Sequence, residues 1–206
     1  MLEGQDKKHI LNRYDERISR FGPTIKSLAI GPAERQEIRY RVLSEVGIRS
    51  DDHVVDVGCG LASYYHYLKS TFKSISYTGI DINSNYINAC KSLFPESNFY
   101  LGELQEFSQL TCDYVISSSS FNIKLNQNNY EYLDEFICDA FKKAKKGIAI
   151  DFLSIYAETK FPDIFYYDPA VILQLAKRYT KRVCIRHDYP LFEFALYMYP
   201  EYTGWH

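Results

Sequence analysis

The sequence predicts an α/β protein built on a mainly parallel sheet with helices on both faces. Two observations carry this. From Asp51 onward, short apolar runs of strand length alternate with segments of helical period, and right-handed crossovers between such strands put the helices over both faces. Composition agrees: 46% hydrophobic and 24% charged residues in a chain of 206 supply a buried core and exclude a disordered chain.

The chain opens helical, because Ile10, Leu11, Tyr14 and Ile18 recur at helical spacing up to Phe21-Gly22-Pro23. A second helix spans Pro32 to Val46, with Ile38, Val42, Leu43 and Val46 on one face and Gly47 as its stop. HVVDV (53–57) is the first strand, and a glycine-rich turn leads from it into a helix through Tyr65 and Leu68. SISYTGID (74–81) is the second strand, followed by a helix from Ser84 to Leu93. NFYLG (98–102) and CDYVIS (112–117) are the third and fourth, and Ser117–Ser120 reads as a turn. A longer helix covers 130–145 with Gly147 as its cap, and GIAIDFL (147–153) is the fifth strand. Asp168-Pro169 opens a last helix to Tyr179. VCIRHDY (183–189) and FEFALYMY (192–199) have no helix between them, so an antiparallel hairpin is expected at that edge.

Charge and cysteine usage narrow the function classes. Lys and Arg total 24 against 26 Asp and Glu, a net charge of −2, which argues against a surface built for nucleic acid. The five cysteines are odd in number, widely spaced and free of any C-x-x-C pair, so reduced thiols are expected and a zinc site is not. No apolar run has the length of a membrane span, and the charged N-terminal residues lack the apolar core of a secretory signal. A cytoplasmic protein is expected. The 19 Tyr and 13 Phe suit both a core and a pocket for a partly polar organic ligand.

In such a sheet the ligand lies beyond the carboxyl ends of the strands, beside the first of them. The residues there are Val54-Val55-Asp56-Val57-Gly58-Cys59-Gly60. Gly58 and Gly60 permit a tight turn and close approach of a ligand to the backbone. Asp56 sits where a dinucleotide would bring its pyrophosphate. A carboxylate there repels phosphate and suits a cationic amine. Asp81 ends the second strand, where an acidic side chain can accept from both hydroxyls of a ribose, and Ile82 would lie against a purine. Gly102-Glu103-Leu104 place a further acceptor and an apolar residue at the next strand tip. The ligand described has an amine, a ribose and a base, but no phosphate. S-adenosylmethionine has these parts.

The ordered set VVDVGCG, TGIDI, FYLGEL and DYVISSSSFN resembles the motifs of the class I (Rossmann-like) S-adenosylmethionine-dependent methyltransferases of the small stand-alone type, over about residues 20–199. The resemblance implies a three-layer sandwich around a seven-stranded sheet whose last strand is antiparallel. Residues 1–50 would be a helical extension packed on the core, and 51–206 the methyltransferase domain. It further implies that Asp56, Gly58 and Gly60 cradle the methionine end, Asp81 holds the ribose, and Ile82, Glu103 and Leu104 surround adenine. Ser117 and Ser118 would line the methionine or sulfonium side. Many relatives have Asp where Glu103 stands. The stretch FGPTIKSLAIGPAERQEIRYRVL is similar to an N-terminal segment of small members of the superfamily, and Gln36 and Arg39 match its cofactor contacts, with Arg39 facing the methionine carboxylate. A solvated helix is the other reading of that stretch.

Methyl transfer asks the protein to position an acceptor and, where needed, to take its proton. Asn122, Tyr166 and Tyr167 are the candidate substrate contacts, and Asp151 and His187 the candidate catalytic groups. Each has a plainer reading: a hydrogen-bonded strand histidine for His187, a turn cap for Asp151, core or lid packing for the tyrosines. The expected activity is methylation of oxygen or nitrogen in a small molecule, such as a biosynthetic intermediate or a sugar, by a monomer or homodimer. A protein or RNA methyltransferase and a non-catalytic binding subunit of the same fold are the rival readings.

Overall fold

The computed structural model describes residues 1–201. Three helices, α1 (Gly4–Phe21), α2 (Ile25–Leu28) and α3 (Ala33–Ser44), precede the first strand. The alternation then runs β1 (His53–Val57), α4 (Ser63–Thr71), β2 (Ser76–Asp81), α5 (Ser84–Leu93), β3 (Asn98–Leu101) and β4 (Cys112–Ser117). It closes with α6 (Asn129–Lys143), β5 (Ala144–Leu153), α7 (Pro169–Ala176), β6 (Val183–Arg186) and β7 (Glu193–Met198). The seven strands form one sheet in the order β3-β2-β1-β4-β5-β7-β6. β1 through β5 pair in parallel, whereas β7 enters antiparallel to both β5 and β6.

The alternation of strand side chains divides the core in two. Val54, Tyr114, Ile116, Ala149, Ala195 and Tyr197 face the layer carrying Leu43 of α3 and Leu68 of α4. Their neighbours Val55, Val115, Ile148, Ile150, Phe194 and Leu196 face the layer carrying Leu133 and Ile137 of α6 and Ile172 of α7. Both faces are covered, so the strands read as near-continuous apolar runs. Local signals set the helix starts. Asn83 caps α5 by accepting from the Asn85 and Tyr86 amides, and Asp168 caps α7 by accepting from Ala170.

The boundary after α6 differs from the expectation. The helix stops at Lys143, and β5 begins at once with Ala144, so Lys145, Lys146 and Gly147 are strand residues rather than a helix end and its cap. Gly147 is there for packing, since a Cβ on it would lie 3.3 Å from both the Tyr114 ring and the Met198 carbonyl. Lys146 pairs with Asp52 and with Asp113, the latter at 3.1 Å.

Candidate active site

The sheet order reverses between β1, which continues to β2 and β3 on one side, and β4, which continues to β5 on the other. A cleft opens beyond the carboxyl ends of these strands, as the topology requires. Asp56, Gly58, Gly60, Asp81, Ile82, Glu103, Leu104, Ser117 and Ser118 all line it.

Gly58 and Gly60 have φ of +76° and +52°. A side chain at either would be strained and obstructed: a Cβ on Gly58 would lie 2.8 Å from Ser120 Cβ, and one on Gly60 would lie 2.6 Å from Leu28 Cδ2. Asp81 organises this turn from the next strand. Its Oδ2 accepts from the Gly60 amide at 2.9 Å and its Oδ1 from the Asn83 amide at 2.8 Å. Burial raises its pKa, against the pull of these backbone donors.

Asp56 is 2% exposed. Tyr77 donates to its Oδ2 at 2.6 Å, and its Oδ1 has no partner among the described residues. Burial pushes its pKa up to about 7, the Tyr77 bond opposes this, and Asp81 and Asp151 add repulsion. A buried carboxylate in a cleft lining, with one oxygen unused, fits an incoming cationic donor.

Glu103 lines the cleft, yet the chain itself uses its carboxylate. Oε2 accepts from the Leu2 amide at 2.9 Å and from Gln105 at 3.1 Å, while Lys7 Nζ lies 3.4 Å from Oε1. The Ser117 hydroxyl donates to the Val57 carbonyl at 2.8 Å, tying β4 to β1.

Seven expected site residues lie outside the lining. Gln36 and Arg39 face inward from α3: Gln36 donates to the Gly31 carbonyl at 2.7 Å, and Arg39 pairs with Glu193 and Asp151. Burial would lower the Arg39 pKa, but these carboxylates outweigh it and keep the group protonated. Asp151 is 1% exposed and serves Arg39 and the turn after β4, so it presents no free carboxylate to an acceptor. Asn122 accepts from the Leu153 amide at 3.0 Å. The Tyr167 hydroxyl donates to the Phe121 carbonyl at 3.0 Å from full burial, and the half-buried Tyr166 hydroxyl accepts from the Phe161 amide at 3.0 Å. His187 is exposed, with its ring against Tyr156 and Phe194.

Helix α1 is a component that sequence reasoning did not place. Ile10, Leu11 and Tyr14 line the cleft, which gives the apolar stripe of α1 its destination. Polar clamps hold the helix across the opening. Buried Asp6 accepts from the Asn126 and Gln127 amides, Arg13 pairs with Asp163, and Asp15 accepts from Asn83 and Asn85. The helical stripe was the available signal, but nothing local says which surface it covers. Four carboxylates (Asp56, Asp81, Glu103 and Glu135) line the cleft, and no lysine, arginine or histidine side chain does, among the described residues.

The family model described as a methyltransferase domain matches residues 54–143. Among curated proteins, Rv1506c of Mycobacterium tuberculosis, named as a methyltransferase, is 29% identical over 150 residues, 68% of this chain and 89% of that one. A fatty-acid O-methyltransferase of Mycolicibacterium smegmatis is 30% identical over 98 residues, covering 46% of this chain and 34% of that one. Among solved structures, magnesium protoporphyrin IX methyltransferase from Synechocystis PCC 6803, with bound S-adenosylhomocysteine, superposes with a TM-score of 0.66 at 15% identity. The match covers 95% of this chain and all of that one. Likeness at that identity speaks for the fold.

Proposed function

We propose that the chain is a class I, Rossmann-like S-adenosylmethionine-dependent methyltransferase and that it methylates an oxygen or nitrogen atom of a small molecule, a reading supported by the methyltransferase-domain match, the relatives named as methyltransferases and the shared fold. The observation that carries the cofactor's placement is the unpartnered, buried Oδ1 of Asp56 beside the positive-φ glycines. It suits the methionine ammonium, and it opposes the phosphates of a dinucleotide. Asp81 retains acceptor capacity beyond its two backbone bonds, which fits the hydroxyls of a ribose. Ile82 and Leu104 supply apolar contact for the base. Bound there, S-adenosylmethionine supplies an electrophilic methyl group on a sulfonium.

The residues of the chain bind, orient and exclude water. Asp56, Gly58 and Gly60 fix one end of the cofactor and Asp81 the other, while Ser118 and Ser119 line the wall between β1 and β4. The helical segment before β1 serves the site through α1, whose Ile10, Leu11 and Tyr14 keep water from the cleft. Catalysis in this reading would rest on these residues holding an acceptor atom in line with the methyl group that the bound cofactor would supply.

A small acceptor that is neutral or cationic near its reacting atom suits a lining that, among the described residues, carries the carboxylates of Asp56, Asp81, Glu103 and Glu135, and these would repel the phosphates of RNA. No helix among the described residues is long and apolar enough to cross a membrane. The free cysteines suit a reducing compartment, and we place the enzyme in the cytoplasm. The test is a screen of phenols, alcohols and amines with S-adenosylmethionine, read by mass spectrometry. Acceptor-dependent formation of S-adenosylhomocysteine and a methylated small molecule is expected. Transfer confined to RNA or protein would overturn the reading.

A further inference from the structure

A buried group of three charged side chains lies behind the cleft wall. Arg39 on α3 makes a bidentate pair with Glu193 at the start of β7, Nε to Oε2 at 2.8 Å and Nη2 to Oε1 at 2.7 Å. The same guanidinium stands 3.1 Å from Asp151 Oδ2 on β5. None of the three side chains is more than 5% exposed. Burying three charges is no efficient way to join α3, β5 and β7, because apolar residues of similar volume serve that purpose as well. Glu193 already fills the fork of the guanidinium, so Asp151 is a second carboxylate on one cation.

The remaining contacts of Asp151 point forward, into the turn after β4. Its Oδ1 accepts from the Ser119 amide at 2.5 Å, and its Oδ2 accepts from the Ser118 hydroxyl at 3.2 Å. Ser119 has φ of +60°, a left-handed conformation that serine keeps only where its surroundings hold it. The next residue is packed against the glycine turn of β1, since a Cβ on Gly58 would lie 2.8 Å from Ser120 Cβ. The Ser120 hydroxyl donates to the Val57 carbonyl at 3.2 Å, as Ser117 does at 2.8 Å. Serine hydroxyls thus fasten the turn to β1 in front, and Asp151 fastens it behind.

We propose that Asp151 is a positioning residue: anchored by Arg39 and Glu193, it holds the Ser118–Ser120 turn in the shape that closes the amino-acid end of the cofactor site against Gly58. This rests on the S-adenosylmethionine reading above. In that reading the adenosine end lies at Asp81, Ile82, Glu103 and Leu104, on the tips of β2 and β3, away from the turn. The two ends of the ligand therefore report separately on Asp151.

Asp151→Ala leaves the Arg39–Glu193 pair complete, and Arg35 stays 3.3 Å from Glu193 Oε1, so the fold should survive. Asp151→Asn is the second variant should it not. Wild type and variant are titrated with S-adenosylhomocysteine and with 5′-methylthioadenosine, which lacks the amino-acid arm, alongside thermal unfolding. The expected result is that affinity for S-adenosylhomocysteine falls about tenfold or more while that for methylthioadenosine stays within about twofold. Unchanged affinity for S-adenosylhomocysteine would overturn the proposal. So would an equal loss for both ligands, which would assign Asp151 to general stability. A wild-type protein that is folded but binds neither ligand would overturn the cofactor reading itself, and this proposal with it.

Discussion

The Tyr77 hydroxyl donates a 2.6 Å hydrogen bond to Asp56 Oδ2, leaving Oδ1 of the same buried carboxylate without a partner among the described residues. The arrangement opposes stability to function. Without a ligand, the carboxylate is costly to ionise, and its pKa stands at about 7 against an ordinary 3.8, chiefly through burial. With a cationic ligand, the ionised form is the one that binds.

The pH dependence follows by linkage. Between its ordinary and its raised pKa, Asp56 is protonated in the folded chain and ionised in the unfolded one, so the folded state binds more protons. Its contribution to stability falls as pH rises from about 4 to about 7 and is fully lost above that. Asp56→Asn removes this dependence. Thermal unfolding of the variant at pH 8 should match or exceed wild type, with a flatter profile between about pH 4 and about pH 7. Its affinity for S-adenosylhomocysteine should fall about tenfold to a hundredfold, the worth of a charge-assisted hydrogen bond. Wild-type affinity in the variant would remove Asp56 from the site.

Gly58→Ala tests the junction of β1 and β4. The φ of +76° strains any side chain there, and the new Cβ would overlap the Ser120 side chain. Destabilisation by about 1–3 kcal/mol is expected in denaturant unfolding, together with loss of ligand binding. The double variant with Ser120→Gly removes the overlap but not the strain, so it should recover part of the stability. A Gly58→Ala protein with native stability and affinity would contradict the packing described.

The sequence exposed the sheet more fully than the site. HVVDV and CDYVIS were read with the bounds that β1 and β4 have, because buried parallel strands are continuous apolar runs between turn residues. The turn conformation at Gly58 and Gly60 and the place of Asp81 at a strand tip were legible for a related reason, since both are local. Arg39 was not. Its partners Asp151 and Glu193 lie more than a hundred residues away, and a helix sequence alone does not tell an arginine facing a ligand from one facing buried carboxylates. Lys146 misled in the same way, since its partners Asp52 and Asp113 belong to other elements. The apolar stripe of α1 announced a helix without its destination.

Asp6 is the anchor of α1 that can be removed most cleanly. It is fully buried and accepts from the Asn126 and Gln127 amides at 2.8 and 2.9 Å. Burial tends to raise its pKa, but these donors outweigh it and hold the carboxyl below its ordinary value. The contribution of Asp6 is therefore complete above pH 4 and lost as pH falls through the lowered pKa. Asp6→Ala should cost about 1–3 kcal/mol, because it orphans two backbone amides and the Asn126 side-chain amide. It should also speed amide hydrogen exchange in α1 and release of S-adenosylhomocysteine, while the sheet stays protected. Equal exchange throughout α1 would show that the helix is held by other contacts.

Calorimetric titration of the purified chain with S-adenosylhomocysteine tests the central claim most directly, because the cleft is assigned to that ligand and to S-adenosylmethionine before any acceptor is known. The account predicts saturable binding at one site per chain, weakened by Asp56→Asn. No binding of either ligand to a protein shown to be folded would contradict the assignment of the cleft.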